Sequence, residues 1–219
     1  MKWRVLLFVA LTLIGAGYFG PWVAHKDAGL NLSADDLAEF VKFMPTVRSG
    51  EIGIVRELFF VPIWLTSIGL GLLASHIKSL GLRLVLLALS LLLVFTPLPG
   101  FTFLLTAYRS PEFGPTFWAT VVAMLLSIGL TVSGGRILRA DRVEAILWIV
   151  LGLAAASIAP LHFVKVAPEI DRLYHFVVGW GVIATIAGGL GLALIGVARL
   201  ISKKTPGFLN LHRRQNPGV

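Results

Sequence analysis

The sequence contains no cysteine. That excludes disulfides, thiolate-bound metals, iron–sulfur ligation and cysteine nucleophiles. Charge is scarce as well. Asp, Glu, Lys and Arg make up 14% of the 219 residues, where a soluble domain runs near about 25%. No GxxxxGK[ST] occurs, so no P-loop of this chain binds ATP. HExxH and GxSxG are missing too, and no soluble catalytic centre or cofactor motif stands out; the chain does not read as an enzyme.

Ionisable groups are also missing from long stretches. None lies between Arg4 and His25, between Glu57 and His76, or between Arg83 and Arg109. None occurs from Phe113 to Gly135, from Ala145 to Leu161, or from Phe176 to Ala198. Proton pumps, antiporters and voltage sensors place such groups inside the membrane, so these classes are disfavoured.

Apolar residues are abundant instead. They make up 57% of the chain, and the mean hydropathy is +0.87. A helix needs about 20 apolar residues to cross a bilayer. The runs predict a single all-α membrane domain of six spans, at about 4–24, 58–77, 82–104, 115–135, 143–163 and 174–200. The first run continues to Ala24, longer than a signal-peptide core, and Trp22 and Ala24 make a poor cleavage pair.

The net charge of +8 shows no basic stretch with interleaved aromatics, so nucleic acid is not an expected partner. The bases follow the positive-inside rule. With the N-terminus inside, the inner segments hold 12 of the 19 bases and only Asp141 and Glu144 among the acids, a net +10. The outer segments carry seven bases and nine acids, a net −2. The expectation is a plasma-membrane protein with both termini cytoplasmic and a basic inner tail, 201–219, against anionic lipid.

The one long outer loop, 25–57, contains a helical pattern. Leu37, Phe40, Val41 and Met44 fall on one face. Ser33 and Asp36 form a capping box, and Pro45 stops the helix. The predicted amphipathic helix, Ala34 to Met44, either covers the outer end of the bundle or presents that face to a partner. Arg56, paired with Glu57 at the start of the second span, is a candidate contact for an anionic headgroup or a partner carboxylate. Gly188 and Gly191 belong to small-xxx-small pairs with Ala184 and Ala187, which let helix backbones approach closely, within the bundle or against another subunit.

Two further constellations bear on chemistry. His25, His162 and His175 all fall at the outer boundary with Asp27, Glu169 and Asp171 nearby. Imidazoles and carboxylates on one face suit zinc or copper, or a haem or pigment ligand; structural histidines bonded to loop carbonyls are the plainer alternative. Thr96, Pro97, Pro99 and Gly100 interrupt the third span. A break at membrane depth marks a substrate site in many transporters, whereas the same residues at a helix end mark only an interface.

Three functions fit these features. The first is a non-catalytic integral subunit of a larger membrane assembly, with lipid and other membrane subunits as partners. The second is a permease or other transport protein, with any ATPase on another chain. The third is a redox or pigment-binding subunit.

Overall fold

The computed structural model describes residues 2–25, 31–98, 106, 108–137 and 141–202. The helices are α1 (Lys2–Phe19), α2 (Ala34–Phe40), α3 (Pro45–Arg48), α4 (Val61–Ser75) and α5 (Leu80–Val94), followed by α6 (Gly114–Ile137), α7 (Asp141–Tyr174) and α8 (Trp180–Ser202). A 3-10 segment, Arg56–Phe60, leads directly into α4. Five helical segments are long and apolar enough to cross a membrane: Lys2–Phe19, Arg56–Ser75, Gly114–Ser133, Arg142–Tyr174 and Trp180–Ser202. The protein is thus a helical membrane protein by length and composition of its helices.

The third expected span differs. The expectation covers 82–104, of which 99–104 lies outside the described residues; the helix described there, α5, has 15 residues, about 22 Å at about 1.5 Å per residue. A bilayer core is about 30 Å thick. Phe95 caps the helix in αR geometry, and Thr96 closes the turn, its N–H donating to the Leu93 carbonyl at 3.2 Å.

The fifth span departs in the opposite sense. It was expected to end at Phe163, yet α7 runs 34 residues, through Pro160 and Pro168. The reason is its buried stripe. Ala155, Ala159, Phe163, Val166 and Ile170 are all buried at spacings of three or four, so the face that packs at membrane depth continues beyond it. Lys165 and Arg172 turn outward, Glu169 is partly buried one turn before Arg172, and none of these charges ends the helix.

The segment Arg56–Ser75 is the centre of the bundle, with 72% of its residues buried. Its α4 portion packs against α1, α5, α6 and α7, while α8 packs against α1 and α7. Glycine brings α7 and α8 together. A Cβ on Gly152 would lie 2.5 Å from the Gly189 carbonyl oxygen and 2.5 Å from the Ala193 nitrogen. Gly188 faces α1 in the same way, 2.8 Å from the Ala10 carbonyl oxygen. Gly191 sits beside Ala10 at ordinary contact distance, 3.9 Å. The small residues of α8 therefore serve contacts within this chain.

Hydroxyls hold α4, α5 and α6 at mid-helix. Ser67, Ser90 and Ser127 are fully buried. Ser67 and Ser90 bond each other's carbonyls at 3.0 Å, and Ser127 donates to the Ser67 carbonyl at 3.2 Å. The Ser90 and Ser127 hydroxyls are also hydrogen-bonded, and Thr131 reaches the Gly71 carbonyl at 3.2 Å. Interhelical hydrogen bonds of this kind are worth about 0.6 kcal/mol on average and up to about 1.7. Ser90→Ala, which removes the shared member, is expected to cost about 1–2 kcal/mol. Unfolding in detergent measures it; an unchanged midpoint would show that the triad does not hold these helices.

One end of the bundle carries the long loop, the other the start of α1 and the end of α8. At the loop end, Ser33 caps α2 with the expected box: Asp36 N–H donates to Ser33 Oγ at 3.2 Å and Ser33 N–H to Asp36 Oδ2 at 2.9 Å. Val41–Phe43 continues as a 3-10 turn, and Met44 is extended before Pro45, which opens α3. A small antiparallel sheet, not anticipated from the sequence, ties this loop to the one before α8. Val23–Ala24 (β1) pairs with Asn31–Leu32 (β2) on one side and Val177–Val178 (β3) on the other.

Candidate functional site

The expected docking face of α2 turns inward. Leu37, Val41 and Met44 are 0%, 1% and 2% exposed and join Trp22, Phe59 and Phe163 in one core. Phe40 is half-buried and stacks edge-on against Tyr174. Tyr18 donates its hydroxyl to Asp35 Oδ1 at 2.8 Å, which fixes α2 over the end of α1. The helix covers the bundle, the first of the two alternatives left open by the sequence.

The three outer histidines do not converge on a metal. Among the described residues, no group of three His, Asp or Glu side chains is placed to hold an ion. His162 directs Nδ1 to the Ile158 carbonyl at 3.0 Å, one turn back in its own helix, and stands edge-on to Phe59. His175 ends α7. Its φ of 47° is left-handed, and its N–H returns to the Asp171 carbonyl at 2.9 Å, a helix-stop geometry. His25 follows β1 and is half-buried.

At the proline break, Thr96 is exposed and Pro97 buried. Pro99 and Gly100 lie outside the described residues. The crevice between α1, α4 and α5, a cavity of about 240 Å³ with Gly15, Leu70, Leu89 and Leu93 in its wall, does not include Thr96 or Pro97.

Arg56 organises the loop end. Its side chain is 10% exposed. Nε donates to Glu57 Oε1 at 3.0 Å, and Nη1 to Glu39 Oε1 at 3.1 Å. Nη2 bonds the Glu112 carbonyl. Lys42 pairs with Glu39 and, at 2.6 Å, with Glu112. Phe113 lies beneath both cations, 5.3 Å from Arg56 and 5.7 Å from Lys42. The expected Arg56–Glu57 pair is thus one edge of a network joining α2, the start of α4 and the turn before α6.

The hydrogen bond from Lys42 holds the Glu112 carboxyl below its ordinary range, against a small opposing effect of burial, with Arg56 assisting. Burial acts to lower Lys42, but its bonds to Glu112 and Glu39 outweigh it and leave the ammonium raised. The signs define a window. Glu112's contribution is present above the ordinary carboxylate range and is lost as pH falls through its depressed folded value. Lys42's contribution is present below the ordinary lysine range and is lost as pH rises through its elevated one. Glu112 is half-exposed, so solvent limits the effect to under about 1 kcal/mol. The midpoint difference between wild type and Glu112→Gln is expected to be positive at neutral pH and to shrink in acid, as pH falls from the ordinary carboxylate range through the depressed folded value. A difference unchanged from neutral pH into acid would overturn this assignment.

The most concentrated polar site lies at the opposite end and was not recognised from the sequence. Glu144, 1% exposed, sits in the first turn of α7. Arg199, from the last turn of α8, holds it with both terminal nitrogens, Nη2 reaching Oε2 at 2.8 Å. Trp148 donates Nε1 to Oε1 at 3.0 Å. His76, which caps α4, brings Nε2 to 3.1 Å from Oε1 as an ion-pair contact; this buried nitrogen has no aligned hydrogen bond. A cavity of about 430 Å³ opens onto the group. Trp3, Arg4 and Leu7 of α1 and Leu73 of α4 complete its wall. Arg4 near the start of the chain and Arg199 near the end of α8 share this cavity, so both ends of the described bundle lie on one side.

Three helices, α4, α7 and α8, thus converge on one carboxylate. The donors satisfy its two oxygens and fix α7 to α8 and α4. Comparison with protein-family models, with curated proteins and with solved structures finds no match to this chain.

Proposed function

We propose that the chain is a non-catalytic integral subunit of a larger membrane assembly, and that its partner packs along the flank formed by α5 and α6. The observation that carries this is α5. At about 22 Å it is too short to span alone, and a short hydrophobic helix is accommodated by thinning the bilayer or by associating with other helices. Its exposed face is apolar, with Val85 at 61% and Leu92 at 68%. The neighbouring Gly114–Ser133 segment is 28% buried, and its exposed side carries Trp118, Val122 and Leu125. Gly129 meets open space there, with nothing within 4 Å of an added Cβ. By contrast, the faces first considered for partners, on α2 and α8, are occupied within the chain.

The charge distribution supports a plasma-membrane orientation with the basic end, and hence both termini, cytoplasmic. Photo-crosslinking residues placed at Val122 and Leu125 in native membranes test the partner assignment. Protein adducts are expected from these positions, and lipid adducts alone from Leu153, on the exposed side of α7. Lipid adducts alone from all three would overturn the reading.

A further inference from the structure

The cavity at the terminal end has a use that the subunit reading does not supply, and it stands on different residues. We propose that it binds a phosphate group whose negative charge is not neutralised within its own molecule, carried by an anionic lipid headgroup or free in solution, with Arg4 as the principal charge and Arg199 as the second.

Charge is the first reason. Glu144 is the one acid in the wall, and it is already compensated by the two-pronged Arg199 contact and the Trp148 N–H. Arg199 uses two of the five guanidinium N–H groups there, which leaves donors for a second anion. Arg4 makes no ion pair among the described residues. Arg4, Arg199 and Glu144 together give the wall a net +1.

Surroundings are the second reason. Trp3, 43% exposed, together with Leu7 and Leu73, gives the same cavity an apolar side. One charged side and one apolar side suit an amphiphile whose phosphate meets arginine and whose glycerol region meets leucine and tryptophan. Basic pockets between membrane helices bind headgroups in this way, and arginine matches phosphate oxygens with paired N–H donors.

The full chain in phosphatidylcholine nanodiscs doped with phosphatidylglycerol, examined by native mass spectrometry, provides the test. One phosphatidylglycerol per chain is expected to be retained beyond its share of the lipid. Arg4→Gln is expected to reduce that retention about fivefold, the worth of one interfacial charge. Arg4 is exposed and makes no ion pair among the described residues, so its variant keeps the wild-type unfolding midpoint. Lys165→Gln, on α7 far from the cavity, keeps full retention. If inorganic phosphate displaces the lipid from wild type and protects it against unfolding in pure phosphatidylcholine, the site stands and its ligand is free phosphate. If wild type retains both lipids equally, with phosphate giving no protection, the proposal is wrong. It is equally wrong if Arg4→Gln changes neither quantity.

Discussion

Arg199→Ala is expected to destabilise the protein by about 3–5 kcal/mol. The substitution removes both donors that embrace Glu144 and leaves a carboxylate that is 2% exposed without its main countercharge. Trp148 and His76 remain within reach, but one neutral N–H and one imidazole replace a guanidinium poorly. The cost is dominated by the abandoned charge, not by the value of the pair. Removing both charges should therefore be milder than removing one: Arg199→Ala with Glu144→Gln is expected to recover most of the loss. Arg199→Lys should recover only part, because an ammonium does not reproduce the two-pronged contact. Thermal unfolding of wild type and these three variants in one detergent makes the comparison. A double variant less stable than Arg199→Ala would contradict this account of the site.

Gly152→Leu is expected to be the most damaging single change in the helix packing. The first side-chain carbon alone would sit 2.5 Å from the backbone of α8 at Gly189 and Ala193. Neither neighbour can swing away, since both are backbone atoms, so α7 and α8 must separate. Overpacking of this kind costs about 3 kcal/mol or more, and the separation would also pull Arg199 from Glu144. Gly129→Ala is the matched control. It introduces a methyl into open space on α6 and gains helix propensity of up to about 1 kcal/mol. The pair of unfolding midpoints is expected to move in opposite directions. Equal effects would mean that the close α7–α8 approach contributes nothing.

Much of this architecture is legible in the sequence because the signals are local. Apolar runs locate the helices, the box at Ser33 and Asp36 starts α2 where expected, and Pro45 ends it. The pairs around Gly188 correctly mark a close helix approach, although spacing alone does not say whether the neighbour is this chain or another. The unread parts depend on distance along the chain. Glu144 and Arg199 are 55 residues apart, and Ser67, Ser90 and Ser127 come from three helices. Nothing local announces such pairings. The true end of α7 could have been found: Phe163, Val166 and Ile170 continue the buried stripe of Ala155 and Ala159. The intervening charges at Lys165 and Glu169 suggest a loop in the sequence, because charge marks a membrane boundary as readily as one face of a helix. The histidines share an end of the bundle, but the His162 imidazole bonds a carbonyl of its own helix and His175 serves as a helix stop through its backbone N–H.

The subunit assignment is tested most directly by purifying the protein from its native membrane in mild detergent and measuring the mass and composition of the particle. The predicted result is a membrane partner at fixed stoichiometry, retained by wild type and released when Val122 and Leu125 on α6 are replaced by bulky tryptophans. A homogeneous particle containing this chain alone, fully able to move a solute when reconstituted, would contradict it and establish transport instead.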